Sequence, residues 1–321
     1  MTIVATGATG FIGRRLCDQL LLRGRPTRAI FRRAVPPPIA GIDWRPLPDL
    51  VANQADWLPL LEGIDCVVHL AALAHQIGRD ATKNRQEFHR INVDGTANLA
   101  RACVEAGVRR FIFMSSVAAI GAAESAADAD EYGRSKFEAE QAIEATFANA
   151  DIDWCILRPP LVYGPDNPGN MARLLRLIAT GMPLPLAAIR NRRSFIYVEN
   201  LADAIISVVD HPHPIRDRFV VTDGTDLSTP DLIRGLADAS GKRVRLFPVP
   251  VSVLRAGARL ADLAGALLGR SLPFDSYSVE RLTGTLVFDG SPFRTVFSWS
   301  PPVEVSRALR STFGNPVGRG E

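Results

Sequence analysis

Cysteine is scarce in this 321-residue chain, and its four residues are widely separated. No CxxC pair occurs, and each cysteine lies in an apolar stretch, where a reduced, buried thiol is the ordinary state. Nor is there a His, Asp and Glu cluster with metal-ligand spacing, so we expect neither disulfides nor a metal site. His69 ends an apolar run and is expected to be a packed residue rather than a catalyst. The cysteines are Cys17, Cys66, Cys103 and Cys155.

A strong excess of either charge is also missing. The chain has 37 lysine and arginine residues against 34 aspartate and glutamate residues, a net charge of +3. The basic residues are mostly arginines scattered along the chain. Such a balance gives no reason to expect nucleic acid or an anionic membrane as the main partner.

No apolar run is long and uncharged enough to span a bilayer. The longest apolar tract near the C-terminal end, residues 249–268, is interrupted by Arg255, Arg259 and Asp262. At helical spacing these charges predict an amphipathic surface helix. The first residues resemble a strand and show no basic region before an apolar core, so no secretory signal is predicted. We therefore expect a cytoplasmic protein without membrane insertion.

What the first half contains is a regular alternation of short β-branched runs and helical patterns. The runs are apolar throughout, as expected for parallel strands covered by helices on both faces. This order predicts an α/β fold with a doubly wound parallel sheet of the Rossmann type. The predicted strands are residues 3–6, 27–31, 66–70, 111–115 and 154–157, and the predicted helices are residues 11–22, 57–61, 91–106 and 136–148.

The pattern changes after residue 164, where prolines and short helical patterns dominate. We predict a dinucleotide-binding Rossmann domain over residues 1–164, to which residues 194–222 return. Residues 165–193 and 223–321 then form a smaller, mostly helical C-terminal lobe that binds the substrate.

Three glycines, Gly7, Gly10 and Gly13, follow the first predicted strand and lead into the first helix. Glycine allows a sharp turn, leaves no Cβ against a pyrophosphate, and lets the helix pack close to the strand. The helix N-terminus offers free N–H groups and a partial positive charge to phosphates. Because strand and helix flank the glycines, the pattern predicts a dinucleotide site. Its predicted contacts are Gly7, Thr9, Gly10, Phe11, Ile12 and Gly13.

The end of the second predicted strand lacks an acidic residue. Enzymes that use NAD usually place Asp or Glu there to bond the ribose 2′-hydroxyl, whereas here Phe31 is followed by Arg32 and Arg33. Two arginines suit a 2′-phosphate, so NADP(H) is the preferred cofactor and NAD(H) the alternative. The other interpretation is that both arginines are solvent-facing residues at a strand end.

Tyr132 and Lys136 are four residues apart at the start of a predicted helix and so share one helical face. A nearby ammonium group lowers the pKa of a phenol, which makes the phenol usable as an acid or base. Ser116 follows a predicted strand, where its hydroxyl could bond the same substrate oxygen. An ordinary helix start is the alternative interpretation, because this spacing is common by chance.

Together these segments resemble the extended short-chain dehydrogenase/reductase family, which includes UDP-glucose 4-epimerase and the sugar dehydratases. The resemblance covers nearly the whole chain and includes residues 49–50, 69–72, 92–96, 157–165 and 193–198. It implies a catalytic triad of Ser116, Tyr132 and Lys136. It also implies cofactor contacts at Asp49, Leu50, Leu70, Ala71, Ala72, Asn92, Ser115 and Pro159, in addition to Tyr132 and Lys136. The stretch from Ser116 to Tyr132 is short for the family.

A narrower similarity, in residues 170–175 and 181–194, is to the UDP-N-acetylquinovosamine dehydrogenase branch, which reduces UDP-4-keto-6-deoxy-N-acetylhexosamines. Arginine forks match phosphate oxygens, so Arg193 is the predicted anchor for a diphosphate, with Arg190 and Arg192 left open. The predicted substrate contacts are Ser116, Asn170, Arg173 and Arg193.

Three hypotheses about function follow from these residues and the resemblance. The main one is reduction of the C4 keto group of a UDP-4-keto-6-deoxy-N-acetylhexosamine, with a role in building polysaccharide precursors. The alternative is a 4-epimerase of a UDP-hexose or UDP-N-acetylhexosamine that retains its NAD. A non-catalytic dinucleotide-sensing module is a third, against which Tyr132 and Lys136 argue. Because helices 91–106 and 136–148 commonly pair in dimers of this family, a homodimer is expected.

Overall fold

The computed structural model describes residues 1–32, 39–47, 49–74, 81–125, 130–167, 170–267 and 275–313. The chain forms two compact units, each assembled from separate segments of the sequence. The first consists of Met1–Pro160, Val198–Val221 and Gly290–Pro302; the second consists of Leu161–Tyr197, Thr222–Asp289 and the described residues from Val303 onward. That the second unit binds the substrate stays a prediction.

A seven-stranded parallel sheet forms the centre of the first unit, in the spatial order β3-β2-β1-β4-β5-β6-β9. Its strands are β1 (Ile3–Thr6), β2 (Thr27–Phe31), β3 (Ile42–Pro46), β4 (Cys66–His69), β5 (Arg110–Met114), β6 (Asp153–Arg158) and β9 (Arg216–Val220). β1 pairs with β2 on one side and with β4 on the other, so the direction of winding reverses there. The predicted doubly wound sheet is confirmed.

Helices cover this sheet in two groups. One helix pair, α1 and α8, packs together, and α4 packs against both α2 and α6. The helices of the first unit are α1 (Phe11–Leu22), α2 (Gln54–Leu61), α3 (Ala81–Phe88), α4 (Gly95–Glu105), α5 (Ala118–Glu124), α6 (Glu131–Phe147), α8 (Val198–Val209) and α12 (Ser291–Phe297). A π-helical turn, His89–Asp94, joins α3 to α4, so the helix predicted over residues 91–106 has two geometries.

The second unit is mostly helical, as predicted. Its two strands, β7 (Leu161–Tyr163) and β8 (Phe195–Tyr197), pair in parallel. Its helices are α7 (Asn170–Ala179), α9 (Thr229–Ala239), α10 (Val251–Leu267), α11 (Ser276–Thr283) and α13 (Val305–Phe313). α9 packs against both α7 and α13, and α10 packs against α11.

Gly290–Pro302 groups with the first unit, although the sequence placed it in the second lobe. The reason is aromatic packing. The rings of Phe293 and Phe297 lie 6.0 and 5.4 Å from that of Phe219 in β9, and the Trp299 ring lies 5.3 Å from Phe293. These side chains cover β9 at the end of the sheet.

All four cysteines are buried free thiols, and burial raises the pKa of Cys17 and of Cys66 to about 12. Within the described residues, no group of three or more His, Cys, Asp or Glu side chains could hold a metal ion. Across the same residues, every helix is too short or too polar to cross a bilayer.

Candidate active site

The turn between β1 and α1 folds back so tightly that no side chain fits at Gly7 or Gly13. Gly7 has a φ of 68°, and a Cβ there would lie 2.8 Å from the backbone nitrogen of Ala71. A Cβ on Gly13 would lie 2.2 Å from the carbonyl oxygen of Gly7. The first turn of α1 has no side-chain cap and no acidic residue, so its N–H groups remain available to an anion. The backbone here fits a dinucleotide pyrophosphate. Thr9, Gly10, Phe11 and Ile12 lie in the same turn.

We expect Gly13→Ala to destabilise this turn and abolish dinucleotide binding, because the clash is with backbone atoms that cannot move aside. Binding is measured by quenching of protein fluorescence on titration with NADH and NADPH, and folding by thermal denaturation. The matched control is Gly121→Ala in α5, where a Cβ meets nothing within 4 Å. Unchanged affinity in Gly13→Ala would contradict the role assigned to the turn.

The residues predicted to hold the adenosine half lie on loops. Arg32 is exposed directly after β2, and Arg33 lies outside the described residues. Asp49 is exposed, and its carboxylate lies 3.6 Å from the guanidinium of Arg90. Leu50 is half-buried, and its carbonyl oxygen would lie 2.5 Å from a Cβ on Gly95.

Leu70, Ala71 and Ala72 follow β4 and are half-buried. A chain of hydrogen bonds fixes this segment. The Oγ1 of Thr6 accepts from the Ala71 nitrogen at 3.2 Å and lies 2.7 Å from Nδ1 of His69. On the other side of the ring, Nε2 of His69 lies 3.1 Å from Oγ1 of Thr96.

His69 is therefore a neutral structural residue, as the sequence predicts. Thr96 donates its hydroxyl hydrogen to the carbonyl oxygen of Asn92, so it accepts from Nε2–H of His69. Burial, and secondly the charge of Lys136, lower the pKa of His69 to about 3. The imidazole joins β1, β4 and α4 and does not become an imidazolium near neutral pH.

Tyr132 lies in the first turn of α6. Asp130 caps this helix, its Oδ1 accepting from the Gly133 nitrogen at 2.7 Å. A Cβ on Gly133 would lie 2.7 Å from the carbonyl oxygen of Ala118, so glycine lets α5 approach α6. The Tyr132 hydroxyl hydrogen-bonds the Ser116 side chain, and the two predicted catalytic hydroxyls are thus adjacent.

The pKa of Tyr132 rises to about 12, whereas the sequence analysis expected Lys136 to lower it. Burial and then the charge of Asp130 raise it, and the hydrogen bond from Ser116 opposes them. Lys136 has other partners in this structure. Its Nζ donates to the carbonyl oxygen of Met114 at 2.7 Å and lies 4.5 Å from the centre of the Phe113 ring. The ammonium therefore interacts with β5 in this structure.

Burial lowers the pKa of Lys136 to about 7, and the charge of Glu140 opposes this. The chain has three lysines, Lys83, Lys136 and Lys242, so spectra of protein labelled with ¹³C at the lysine ε-carbon contain few signals. We expect one signal to titrate near neutral pH. Lys83→Arg and Lys242→Arg assign it by elimination without changing the buried residue.

The lowered pKa of Lys136 makes the stability of the folded chain depend on pH. The unfolded chain holds this proton up to a pKa of about 10.5, and the folded chain releases it near 7. The unfolded state binds more protons between these values, so this group makes stability rise with pH across that interval. The absence of any lysine titration between about pH 6 and 8 would contradict the assignment.

Asn92 lies in the π-helical turn and is buried. Its Oδ1 accepts from the Leu73 nitrogen at 2.7 Å, and its Nδ2 donates to the Leu73 carbonyl at 3.0 Å and to Oγ of Ser135 at 2.9 Å. Both amide hydrogens are thus used within the chain. Asn92 joins the segment after β4 to α6, and in this structure it positions other groups instead of presenting a free amide to the cofactor.

Ser115 and Pro159, two further predicted cofactor contacts, are buried. The Ser115 hydroxyl donates to Oε1 of Glu140, and the Pro159 carbonyl accepts from the Val117 nitrogen at 3.1 Å. Ser115 is therefore part of the support beneath the site, because its hydroxyl is committed to a carboxylate.

The sequence analysis missed the acid that lies behind Lys136. Glu140 is fully buried, and the guanidinium of Arg158 donates to both of its carboxylate oxygens. Arg218 lies 3.9 Å from the same carboxylate. The spacing along the sequence could have identified Glu140, because Tyr132, Lys136 and Glu140 are each four residues apart and share one face of α6.

In the second unit, Arg193 is half-buried, and its Nη1 donates to the carbonyl oxygen of Arg281. Burial and the nearby Arg281 charge lower the pKa of Arg193. Arg190 is exposed, and Arg192 is exposed and paired with Asp226 at 3.0 Å. Asn170 and Arg173 lie on α7, but their side chains are outside the described part of the chain.

Comparison with known proteins gives consistent matches along the chain. The model of the NAD dependent epimerase/dehydratase family matches residues 3–221. A UDP-glucose 4-epimerase of Vibrio cholerae is 34% identical over 97% of this chain and 94% of that protein. An N-acetyl-α-D-glucosaminyl-diphospho-ditrans,octacis-undecaprenol 4-epimerase of Escherichia coli O157:H7 is 26% identical over 97% and 93%. The crystal structure of UDP-N-acetylglucosamine 4-epimerase from Bacillus cereus has a TM-score of 0.74 at 19% identity, covering 99% of this chain and 100% of that one, and shares the fold.

Proposed function

The chain belongs to the NAD dependent epimerase/dehydratase family, and on this basis we propose that it is a 4-epimerase of a UDP-hexose or UDP-N-acetylhexosamine. The observation that carries the proposal is the hydrogen bond between the Tyr132 hydroxyl and Ser116. Both relatives described above are 4-epimerases. They favour this alternative over our main hypothesis from the sequence, the reduction of a 4-keto sugar.

A nicotinamide cofactor, when bound, supplies hydride removal and return at the sugar C4 carbon. The residues of the chain supply the proton transfer, the stabilisation of charge and the binding of the pyrophosphate. Tyr132 acts in its ionised form: it takes the proton of the C4 hydroxyl and later returns it, while Ser116 hydrogen-bonds the same oxygen and stabilises its developing charge. The pKa of the phenol is raised in this structure, so its ionisation requires Lys136 to leave the Met114 carbonyl and bring its positive charge to Tyr132. The backbone between Gly7 and Gly13, whose tight turn a Cβ would disrupt, binds the pyrophosphate.

The diphosphate of the sugar nucleotide has a candidate anchor in the second unit. Arg193 is half-buried and Arg281 is exposed, and the charge of Arg281 is close enough to lower the pKa of Arg193. Planar guanidinium groups match phosphate oxygens in pairs. We infer that Arg193 contacts the diphosphate and that Arg281, which the sequence analysis did not single out, acts beside it.

Reduction of a UDP-4-keto-6-deoxy-N-acetylhexosamine is the second candidate, and one observation favours it. Arg32 stands exposed at the end of β2, where an NAD enzyme usually carries an acid. An arginine there suits the 2′-phosphate of NADP(H), a cofactor that is released after each turnover. A reductase needs such release, whereas an epimerase retains its cofactor.

One experiment separates the two candidates. Purified protein is incubated with UDP-glucose, UDP-galactose and their N-acetylated counterparts without added cofactor, and products are separated by chromatography. Interconversion, with NAD released on denaturation, supports the epimerase. Steady oxidation of NADPH with a UDP-4-keto-6-deoxy-N-acetylhexosamine, and no interconversion, supports the reductase. The variant Arg32→Asp should lose any preference for NADPH and leave epimerisation unchanged.

We further propose that the enzyme is a cytoplasmic homodimer that uses the helices at residues 91–106 and 136–148 and contributes to polysaccharide precursors. α4 presents exposed Val104 and Arg101 to such an interface. Light scattering tests the assembly, and a single monomer peak would rule it out.

A further inference from the structure

α10 has two apolar faces, and one of them is exposed. Leu254 and Ala258 are buried on the first face. On the opposite face Val253, Leu260 and Leu263 are 57%, 67% and 64% exposed. Their spacing of seven and three residues places them in one stripe along the helix. A helix that packed on one side alone would carry polar residues at these positions.

Positive charge accompanies this stripe. From residue 242 to residue 263 the chain has one acidic residue, Asp262, and five basic ones: Lys242, Arg243, Arg245, Arg255 and Arg259. All five are exposed. Arg255 lies 3.4 Å from exposed Glu280, whereas Arg243, Arg245 and Arg259 have no acidic partner in the described part of the chain.

The segment that precedes α10 extends the apolar surface. Phe247 is 43% exposed, and its nitrogen donates to the Leu184 carbonyl at 3.0 Å. The Leu184 nitrogen donates to the Arg245 carbonyl at 2.8 Å. Exposed Met182 lies two residues before Leu184. The exposed side chains of residues 242–263, which we call the α10 face, thus combine large apolar groups with five cations and one acid, and three of the cations have no acidic partner in the described residues.

We propose that the α10 face docks peripherally on the surface of an anionic lipid bilayer. Apolar side chains on one side of an amphipathic helix enter the boundary between headgroups and acyl chains, and flanking arginines pair with lipid phosphates. Charge complementarity selects this occupant over a second copy of the chain. A symmetric dimer through the same face would bring the cations of two copies together, and like charges across an interface are strongly unfavourable.

The test is co-sedimentation of the full chain with vesicles of phosphatidylglycerol and phosphatidylcholine, against vesicles of phosphatidylcholine alone. We expect binding to the anionic vesicles only, weakened by salt because exposed charges are screened. Leu260→Glu with Leu263→Glu should abolish it. Arg243→Gln and Arg259→Gln should each weaken it roughly fivefold, the effect of about one basic residue near such a surface.

The matched control is Leu22→Glu, which changes an 85% exposed leucine on α1 in the first unit and should bind like the unaltered chain. Circular dichroism checks that every variant is folded. Absence of vesicle binding, or binding that survives Leu260→Glu with Leu263→Glu, overturns the proposal. So does a dimer seen by sedimentation velocity without lipid and lost in the same variant, which would identify a second copy as the occupant.

Discussion

Tyr132→Phe is expected to lower kcat by about 10²- to 10⁴-fold, the usual contribution of a positioned acid or base. The change removes the hydroxyl alone. The ring keeps its edge-to-face contact with Phe88, whose centroid lies 6.3 Å away, so α6 should retain its position. Because the proposed pyrophosphate contacts lie on the β1–α1 turn, dinucleotide binding should be retained. Turnover is measured with the substrate found active, and binding by fluorescence titration.

Tyr163→Phe is the matched control for loss of a phenol. Tyr163 belongs to the second unit, where its buried hydroxyl donates to Oδ2 of Asp223 at 3.0 Å. This variant should lose about 1.5–3 kcal/mol of stability, because the lost hydrogen bond is to a buried carboxylate, and should keep its turnover. If Tyr132→Phe kept full turnover as well, a non-catalytic dinucleotide-sensing protein would become the better interpretation.

Glu140→Ala is expected to destabilise the protein by about 3–5 kcal/mol, because it leaves the charge of Arg158 buried without its partner. The Glu140 side chain is fully buried and that of Arg158 is 12% exposed, so water cannot replace the lost carboxylate. Ser115 loses its acceptor in the same step. Denaturant unfolding measures the change, analysed with the slope held common to the variants.

A double-mutant cycle tests whether the cost comes from the unpaired charge. Glu140→Met combined with Arg158→Met removes both charges and fills similar volume, so the pair should be less destabilised than the sum of the single variants. Additive effects would show that the two residues act independently. Loss of the Glu140 charge should also lower the pKa of Lys136 further, because that charge raises it in the native protein.

The elements that could be predicted from the sequence are those with strong periodicity. β1, α1 and β2 have the predicted bounds, because β1 and β2 are short, largely buried runs and α1 has apolar residues at helical spacing. β3 was missed because it lies at the end of the sheet and buries only Ile42 of its five residues. α5 was missed because its seven residues, mostly alanine and glycine, carry no clear apolar stripe.

The residues of the site also divide into those that a local sequence pattern identifies and those that it does not. Gly7, Gly13, Tyr132 and Lys136 could be found because their chemistry depends on local spacing along the chain. The carboxylate of Glu140, by contrast, acquires its role from Arg158, eighteen residues away on a neighbouring strand. Such a partnership depends on the register of the sheet, which no local pattern specifies. The direction of Lys136 towards the Met114 carbonyl is another contact of this kind.

The interleaving of the two units constrains how the chain can fold during synthesis. The chain crosses between the units repeatedly, and β9 together with α8 comes from a segment made after residues 161–197 of the second unit. The aromatic cover of β9, Phe293 with Phe297, is synthesised later still. A ribosome that has released β6 therefore carries a sheet with an open edge, a surface prone to pairing with other chains. We therefore expect the nascent protein to be prone to aggregation until about residue 302 has emerged.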